Sequence, residues 1–441
     1  MKEKNKLSGA ECLIFALPLL AYSTPAFAYL DPGTGSMLLS ALVGLSSTLY
    51  FSLKKFPSLL TALFSKFGRK SSCLPKKIVF YSESKNYWNT FEPILTALNR
   101  KKVEVSYLTS DKDDPIFGRD DLTFVDKQYI GRGNSAYSKL NFLECNLFVL
   151  TTPGVDVLQI KRSRGVKKYV HIVHSLSDIH GYKLYSFDYY DTVICSGKTQ
   201  IQSIRDLEEK RKTRSKELVL LGCPYLDNLV KRNKESSTGK RGTDFLLRKV
   251  KTIILAPTWG KNSYLYRCDP SLLVNLTEEG YDVIFRPHPQ SFISDKERLN
   301  EWLSVLRNTK SASLDDNPDG SESFAKSMLM ISDLSGVVFD YALIYKKPVI
   351  TLSSDFHKDG FEAWDLSKPA WELNLYDRIG AHISSTTFES IYAAIKKVEK
   401  IGLLDDILEN EFIKNEVINF GCASVPIADY LLEQLNILQA K

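Results

Sequence analysis

Residues Tyr169 to Tyr182 read YVHIVHSLSDIHGY and hold three of the six histidines in the chain: His171, His174 and His180. Imidazole titrates near neutral pH and also ligates metals. Such a cluster therefore suggests general acid–base work, a zinc site, or packing in a buried strand. Alternation along a strand argues against a shared metal, because His171 and His174 are an odd number of residues apart and point to opposite faces. On that reading His171 sits inside a sheet, His174 is the histidine available for chemistry, and His180 is open. No metal site is expected.

Three later stretches carry chemistry of a matching kind. RPHPQS, from Arg286 to Ser291, places a guanidinium and an imidazole in a turn stiffened by two prolines. Arg286 offers a fork of donors suited to phosphate, and His288 offers a titratable ring. ISDLSGVVFDYALIYKKPVI, from Ile331 to Ile350, sets Ser332, Asp333, Ser335 and Gly336 between an apolar strand and an apolar helix. Hydroxyls and free N–H groups at a helix start hold anions, although Ser and Asp are also ordinary caps there. Asp340 lies on that helix among apolar neighbours, so it needs a partner or faces a cleft. APTWGKNS, from Ala256 to Ser263, supplies Thr258 and Lys261 as phosphate or base contacts. Trp259 reads as core by default, with a stacking platform as the other option.

These segments need a scaffold that brings them to one edge. From Lys76 onward the chain alternates short apolar, β-branched runs with amphipathic ones. KKIVFYS, VEVSYLTS, CNLFVLTTPG, VKKYVHIVHS and DTVICSG read as strands. NTFEPILTALNRK, with Phe91, Ile94, Leu95 and Leu98 at helical spacing, reads as the first crossover helix. This is βαβ repetition, with strands buried on both faces. A second series follows, with strands TIILAPTW, YDVIFRPHP, MLMISDLS and KPVITLS and helices PSLLVNLTEEG and SGVVFDYALIYKK. The stretch ESIYAAIKKVEKIGLLDDILENEFI reads as one helix by period. The apolar-free KRNKESSTGKRGTD, residues 231–244, reads as a linker. The expected architecture is α/β, with two Rossmann-type parallel-sheet domains (71–230 and 245–441) and a central cleft. Ligands of open α/β sheets lie at the carboxyl ends of the strands.

Residues 1–70 are of another kind. Lys2, Lys4 and Lys6 precede a charge-free run from Cys12 to Leu30 that ends in an A-x-A-like PAFA. A second charge-free run, Pro32 to Leu53, is long enough for the roughly 20 residues a bilayer demands. Lys54 and Lys55 follow at once. Positive flanks face the cytoplasm, so residues 12–53 are expected to engage the bilayer of the inner or plasma membrane and leave the rest of the chain cytoplasmic. The seven cysteines are scattered singly, which excludes a disulfide framework and a zinc ribbon. The net charge of +6 is too diffuse to argue for nucleic acid.

RPHP, then ISDLSGVVFDYALIYKKPVI, preceded by LGCPYLD and LAPTW, resembles the CDP-glycerol glycerophosphotransferase family of teichoic-acid primases and polymerases. The likeness spans residues 76 to 360. It implies a GT-B-like fold and transfer of an alditol phosphate from a CDP-linked donor to a hydroxyl of a cell-surface polymer or lipid-linked acceptor, releasing CMP without a cofactor. On this resemblance His174 is the candidate general base on the acceptor hydroxyl, and His288 sits near the pyrophosphate. Arg286, Ser332, Asp333 and Ser335 hold phosphates or nucleotide, and Asp340 orients the site. The sequence departs from the family at Ser175, Leu334, Gly336 and Gly260. Two alternatives stand beside this reading. One is another GT-B enzyme, a sugar transferase or nucleotide-sugar epimerase with a UDP-linked donor. The other is a non-catalytic membrane-tethered binding protein.

Overall fold

The computed structural model describes residues 44–46, 76–236, 251–317, 320–333, 335–353 and 358–440. It divides into two units, Met1–Lys70 and Ser71–Lys441. Of the first unit, only the exposed helical residues 44–46 are described. The charge-free runs 12–30 and 32–53 otherwise lie outside the described residues. Among the described residues, no helix is long and apolar enough to cross a membrane.

The second unit contains two parallel sheets. The first is built from β1 (Lys76–Ser82), β2 (Val105–Thr109), β3 (Val125–Tyr129), β4 (Cys145–Leu150), β5 (Val166–Ile172), β6 (Thr192–Cys195) and β7 (Glu217–Leu220). Their order is β3-β2-β1-β4-β5-β6-β7. The second holds β8 (Lys251–Ala256), β9 (Tyr281–Phe285), β10 (Ala312–Leu314), β11 (Leu329–Ser332), β12 (Val349–Leu352) and β13 (Gly380–Ile383), ordered β10-β9-β8-β11-β12-β13. Both sheets reverse their order beside their first strand, between β1 and β4 and between β8 and β11. Such a reversal opens a crevice at the strand ends.

The strands are buried because helices cover both faces. On one face of the first sheet, Phe91, Leu95 and Leu98 of the helix Trp88–Arg100 pack with Ile78, Val170 and Ile172. The last helix, Ser424–Ala440, packs there too, through Ile427, Leu431 and Leu435. The end of the chain therefore returns from the second sheet to the first. The opposite face buries Tyr169, Val193 and Leu207. Val173 and Leu176, just past β5, join the core under the second sheet together with Ala256 and Val338.

Several expectations change. The 389–413 segment is not one helix: the helix Phe388–Val398 stops, and a short helix Glu411–Glu416 follows a turn. Gly402, with φ of +71°, marks the break in a conformation glycine adopts readily. Residues 231–236 are not linker but the end of the helix Tyr225–Ser236. Strands β3, β7, β10 and β13 were not anticipated. All four lie toward sheet margins, are short, and lack a continuous buried run.

Candidate active site between the two sheets

Strand β5 ends at Ile172, so the alternation that governs His171 no longer applies at His174. His171 is fully buried. Its ring packs edge-on against Tyr182, Phe187 and Tyr190, with Nε2 3.2 Å from the Thr151 carbonyl. Burial pulls its pKa down to about 3. His180 turns elsewhere, with Nε2 2.8 Å from the Lys368 carbonyl and Nδ1 3.3 Å from Asp178. His180 thus stands apart, while His171 and His174 share Tyr182 as a ring neighbour. Among the described residues, no group of His, Cys, Asp or Glu is arranged to hold a metal.

His174 lies in the loop after β5, its ring between Tyr87 and Tyr182 at centroid distances of 5.2 and 5.4 Å. Its Nδ1 is 3.2 Å from the Tyr182 hydroxyl. Burial draws its pKa down to about 4, so the ring is neutral at pH 7. The same loop reaches the second sheet. A Cβ on Gly336 would lie 3.6 Å from the Ser177 hydroxyl, and the Asp178 N–H donates to both carboxylate oxygens of Glu372 at 3.2 Å. Tyr182 accepts the Glu362 N–H through its carbonyl at 2.8 Å.

On the second sheet the loop after β8 is tied down by carboxylates. Asp333 accepts the Thr258 N–H (2.8 Å) and the Tyr264 N–H (2.7 Å), using one oxygen for each. Asp295 accepts the Gly260 N–H at 3.0 Å. Ser332 donates its hydroxyl to the Ala256 carbonyl at 2.7 Å. Burial lifts Asp333 to about 6, with the two N–H groups opposing it. Asp333 and Ser332 thus shape the Pro257–Ser263 loop, on which Thr258 is half-buried and Lys261 exposed. Trp259 is not core: it is 50% exposed, and its ring lies 6.4 Å from that of His288, tilted by 38°. Among the described residues no partner encloses it, which local sequence could not reveal.

His288 follows β9 in the turn Arg286–Pro289. Its Nδ1 accepts the Gln290 N–H at 3.1 Å. Burial lowers its pKa, and Asp295 pulls the other way. Arg286, at the start of the same turn, donates to Asp315 (2.8 Å) and to the Asn317 carbonyl (2.7 Å) and lies over the Phe324 ring. It lines a small cavity with Asp340, Tyr225 and Asn89. Asp340 accepts the Tyr225 hydroxyl at 3.1 Å, and burial lifts its carboxyl to about 7. Ser335 and Gly336 begin the helix Val337–Ile344, beside Ser177 of the His174 loop.

The structure therefore gathers Thr258, Ser332 and Asp333 in one bonded loop system, sets His288 beside Trp259, and places Arg286 and Asp340 around a separate cavity. Sequence reasoning passed over Tyr87, Tyr182, Asp295 and Glu372. Tyr182 stood in the histidine-rich stretch, but a loop and a short turn separate it from His174, so no secondary-structure period relates the two.

A family model described as CDP-Glycerol:Poly(glycerophosphate) glycerophosphotransferase matches residues 63–359. Among solved structures, the chain is similar to the wall teichoic acid polymerase TagF with CDPG: 18% identity, TM-score 0.50, covering 88% of this chain and 99% of that one. It is also similar to Methanocaldococcus jannaschii UDP-GlcNAc 2-epimerase in complex with UDP-GlcNAc and UDP, at 15% identity and TM-score 0.50, covering 81% and 99%. An S. aureus MnaA–UDP structure matches at 14% identity and TM-score 0.53, covering 82% and 97%. At such identities the likeness concerns the fold, which is GT-B-like with two parallel-sheet α/β halves. No curated protein matches the sequence.

Proposed function

The chain belongs to the CDP-glycerol:poly(glycerophosphate) glycerophosphotransferase family, and from that premise we propose that it transfers an alditol phosphate, glycerol phosphate in the first instance, from a CDP-linked donor to a hydroxyl of a cell-surface polymer or lipid-linked acceptor. The match over residues 63–359, which includes both strand-end clusters, carries this reading. The acceptor oxygen forms a bond to the β-phosphorus as the bond from that phosphorus to the bridging oxygen breaks. CMP leaves with the bridging oxygen, and the hydroxyl proton ends in water.

In this reading His174 and His288 act on the transferred group from the two halves. Thr258, Lys261, Ser335 and Gly336 contact the nucleotide or its phosphates. Trp259 offers an open aromatic face for the base. Ser332, Asp333, Arg286 and Asp340 serve the site by holding its loops, since their polar atoms already bond to the protein. Positioning and fixed donors supply most of the rate. The charge-free runs within residues 12–53 tether the enzyme to the inner or plasma membrane, with the transferase unit on the cytoplasmic side. Lys54 and Lys55 at the end of the second run support that orientation.

The test is to incubate the full-length protein with CDP-glycerol, other CDP-alditols and UDP-sugars and to identify the released nucleotide. CMP from a CDP-alditol is expected. UDP or UMP from a sugar donor, with the CDP-alditols left intact, would overturn the assignment. Membrane fractionation of the intact chain against one lacking residues 1–53 tests the tether, and equal distribution in the soluble fraction would refute it.

A further inference from the structure

We propose that His174 and His288 both present an Nε2–H to the cleft, and so act as paired hydrogen-bond donors to the donor diphosphate rather than as a base on the acceptor hydroxyl. This rests on the reading that the two imidazoles act on the transferred group, and it changes the role of His174 within it.

The argument follows from what each Nδ1 meets. At His288 the partner is the backbone N–H of Gln290, 3.1 Å away. A backbone N–H can only donate, so Nδ1 uses its lone pair and carries no proton. At His174 the partner is the Tyr182 hydroxyl at 3.2 Å. Among the described residues that hydroxyl has no other hydrogen-bond acceptor. The phenolic hydrogen therefore points to Nδ1. Burial pushes the Tyr182 phenol well above its usual range, so the hydrogen stays on oxygen. A neutral imidazole has one N–H. With both Nδ1 atoms accepting, that N–H lies on Nε2 in both rings.

The same contacts oppose the cation. Protonating Nδ1 of His288 would set two N–H groups against each other, and protonating His174 would force Tyr182 to turn its hydrogen away. Both rings are held neutral by burial as well. A neutral ring with Nε2–H cannot take a proton from a hydroxyl through Nε2. It can donate to a phosphoryl oxygen or to the leaving oxygen as negative charge gathers there. Phosphoryl transfer through a loose transition state places little demand on an early base, because the attacking hydroxyl is still largely protonated when the leaving bond is stretched. Two donors fixed in separate halves fit that demand. Tyr182 is then a positioning residue: it sets the tautomer of His174 without touching substrate.

The direct experiment is ring ¹⁵N–¹H correlation NMR on full-length protein labelled with ¹⁵N-histidine, with signals assigned by their loss in His174→Gln and His288→Gln. At neutral pH the expected pattern at both positions is a lone pair on Nδ1 and a proton on Nε2. A protonated Nδ1 at either position overturns the proposal. Tyr182→Phe should disturb the His174 pattern and leave that of His288 intact; an undisturbed His174 pattern also counts against it. Activity supplies an independent arm. A glutamine amide can donate near the Nε2 position but cannot accept a proton as a base. His174→Gln should stay within about 10-fold of wild-type kcat, while His174→Ala falls about 100-fold or more. Glutamine as inactive as alanine in a folded protein would restore the base role. Wild-type turnover in His174→Ala would remove the premise about the site, and this proposal with it; the NMR pattern separates that failure from a wrong tautomer.

Discussion

Arg211→Met should destabilise the protein by about 3–5 kcal/mol at pH 7.5, the range found when one partner of a buried ion pair is removed. Arg211 closes the helix Lys198–Arg211, with its side chain only 7% exposed. Its guanidinium meets three carboxylates: Asp188 at 2.8 Å, Glu362 at 2.5 Å and Asp365 at 2.8 Å. Asp188 belongs to the first half, whereas Glu362 and Asp365 lie on the segment after β12, so a single cation joins the two. Methionine keeps much of the apolar stem but leaves Glu362, which is fully buried, without its counter-ion. At an effective dielectric near 20, one such contact at 4 Å is worth about 4 kcal/mol before desolvation is subtracted, so the range is consistent with losing the cation. The sign of the pH effect is also fixed. Burial raises the Glu362 carboxyl, and Arg211 draws it back down. Without Arg211 it rises further, and the variant takes up a proton where the wild type does not. A protonated Glu362 needs no cation, so the deficit should shrink as pH falls from 7.5 toward 5.5. Urea unfolding followed by tryptophan fluorescence at both pH values measures this. A cost below about 1 kcal/mol, or a deficit that grows on acidification, would refute the reasoning.

Two further outcomes are expected. Burial, reinforced by Asp178, lifts Glu372 from 4.5 to about 7. Its contribution to stability is therefore present below the ordinary carboxylate range and is lost as pH rises through about 7. The total is about 3 kcal/mol at most. Glu372→Gln should flatten the stability profile between pH 5 and 8 in thermal unfolding, and an unchanged slope would count against the assignment. Trp259→Ala should weaken CMP binding by about 1–3 kcal/mol in calorimetry, the usual worth of a base stacked on an aromatic ring. The melting temperature should hardly move, because the side chain is half exposed; unaltered affinity would show that the indole does not carry the base.

Much of the fold could be read locally. Short apolar, β-branched runs marked β1, β2, β4, β5, β6, β8, β9, β11 and β12, because a strand covered on both faces must be apolar almost throughout. The family resemblance rested on short stretches at the ends of β7, β8, β9 and β11, and the last three of those turns lie on one sheet. The placement of His171 inside a sheet followed from strand alternation and is what the structure shows. The strands that escaped notice are marginal ones. β10, with the sequence ASL, is three residues long and largely exposed, so burial imposes no pattern on it.

Residue types, their order and the period of their burial are properties of the chain, and these determined two parallel α/β halves with histidine- and serine-bearing strand ends. Only the tertiary structure decided which polar atoms remain available at those ends. Asp333 and Arg286 find partners within the protein, at Thr258, Tyr264 and Asp315, while Trp259 stays half exposed. The last helix crosses back to the first sheet, and Tyr182 turns its hydroxyl to His174. The physical reason is that periodicity records whether a side chain is buried against its own element's neighbours. A hydrogen-bond partner is instead chosen through space, once loops from distant strands have been brought to the same edge.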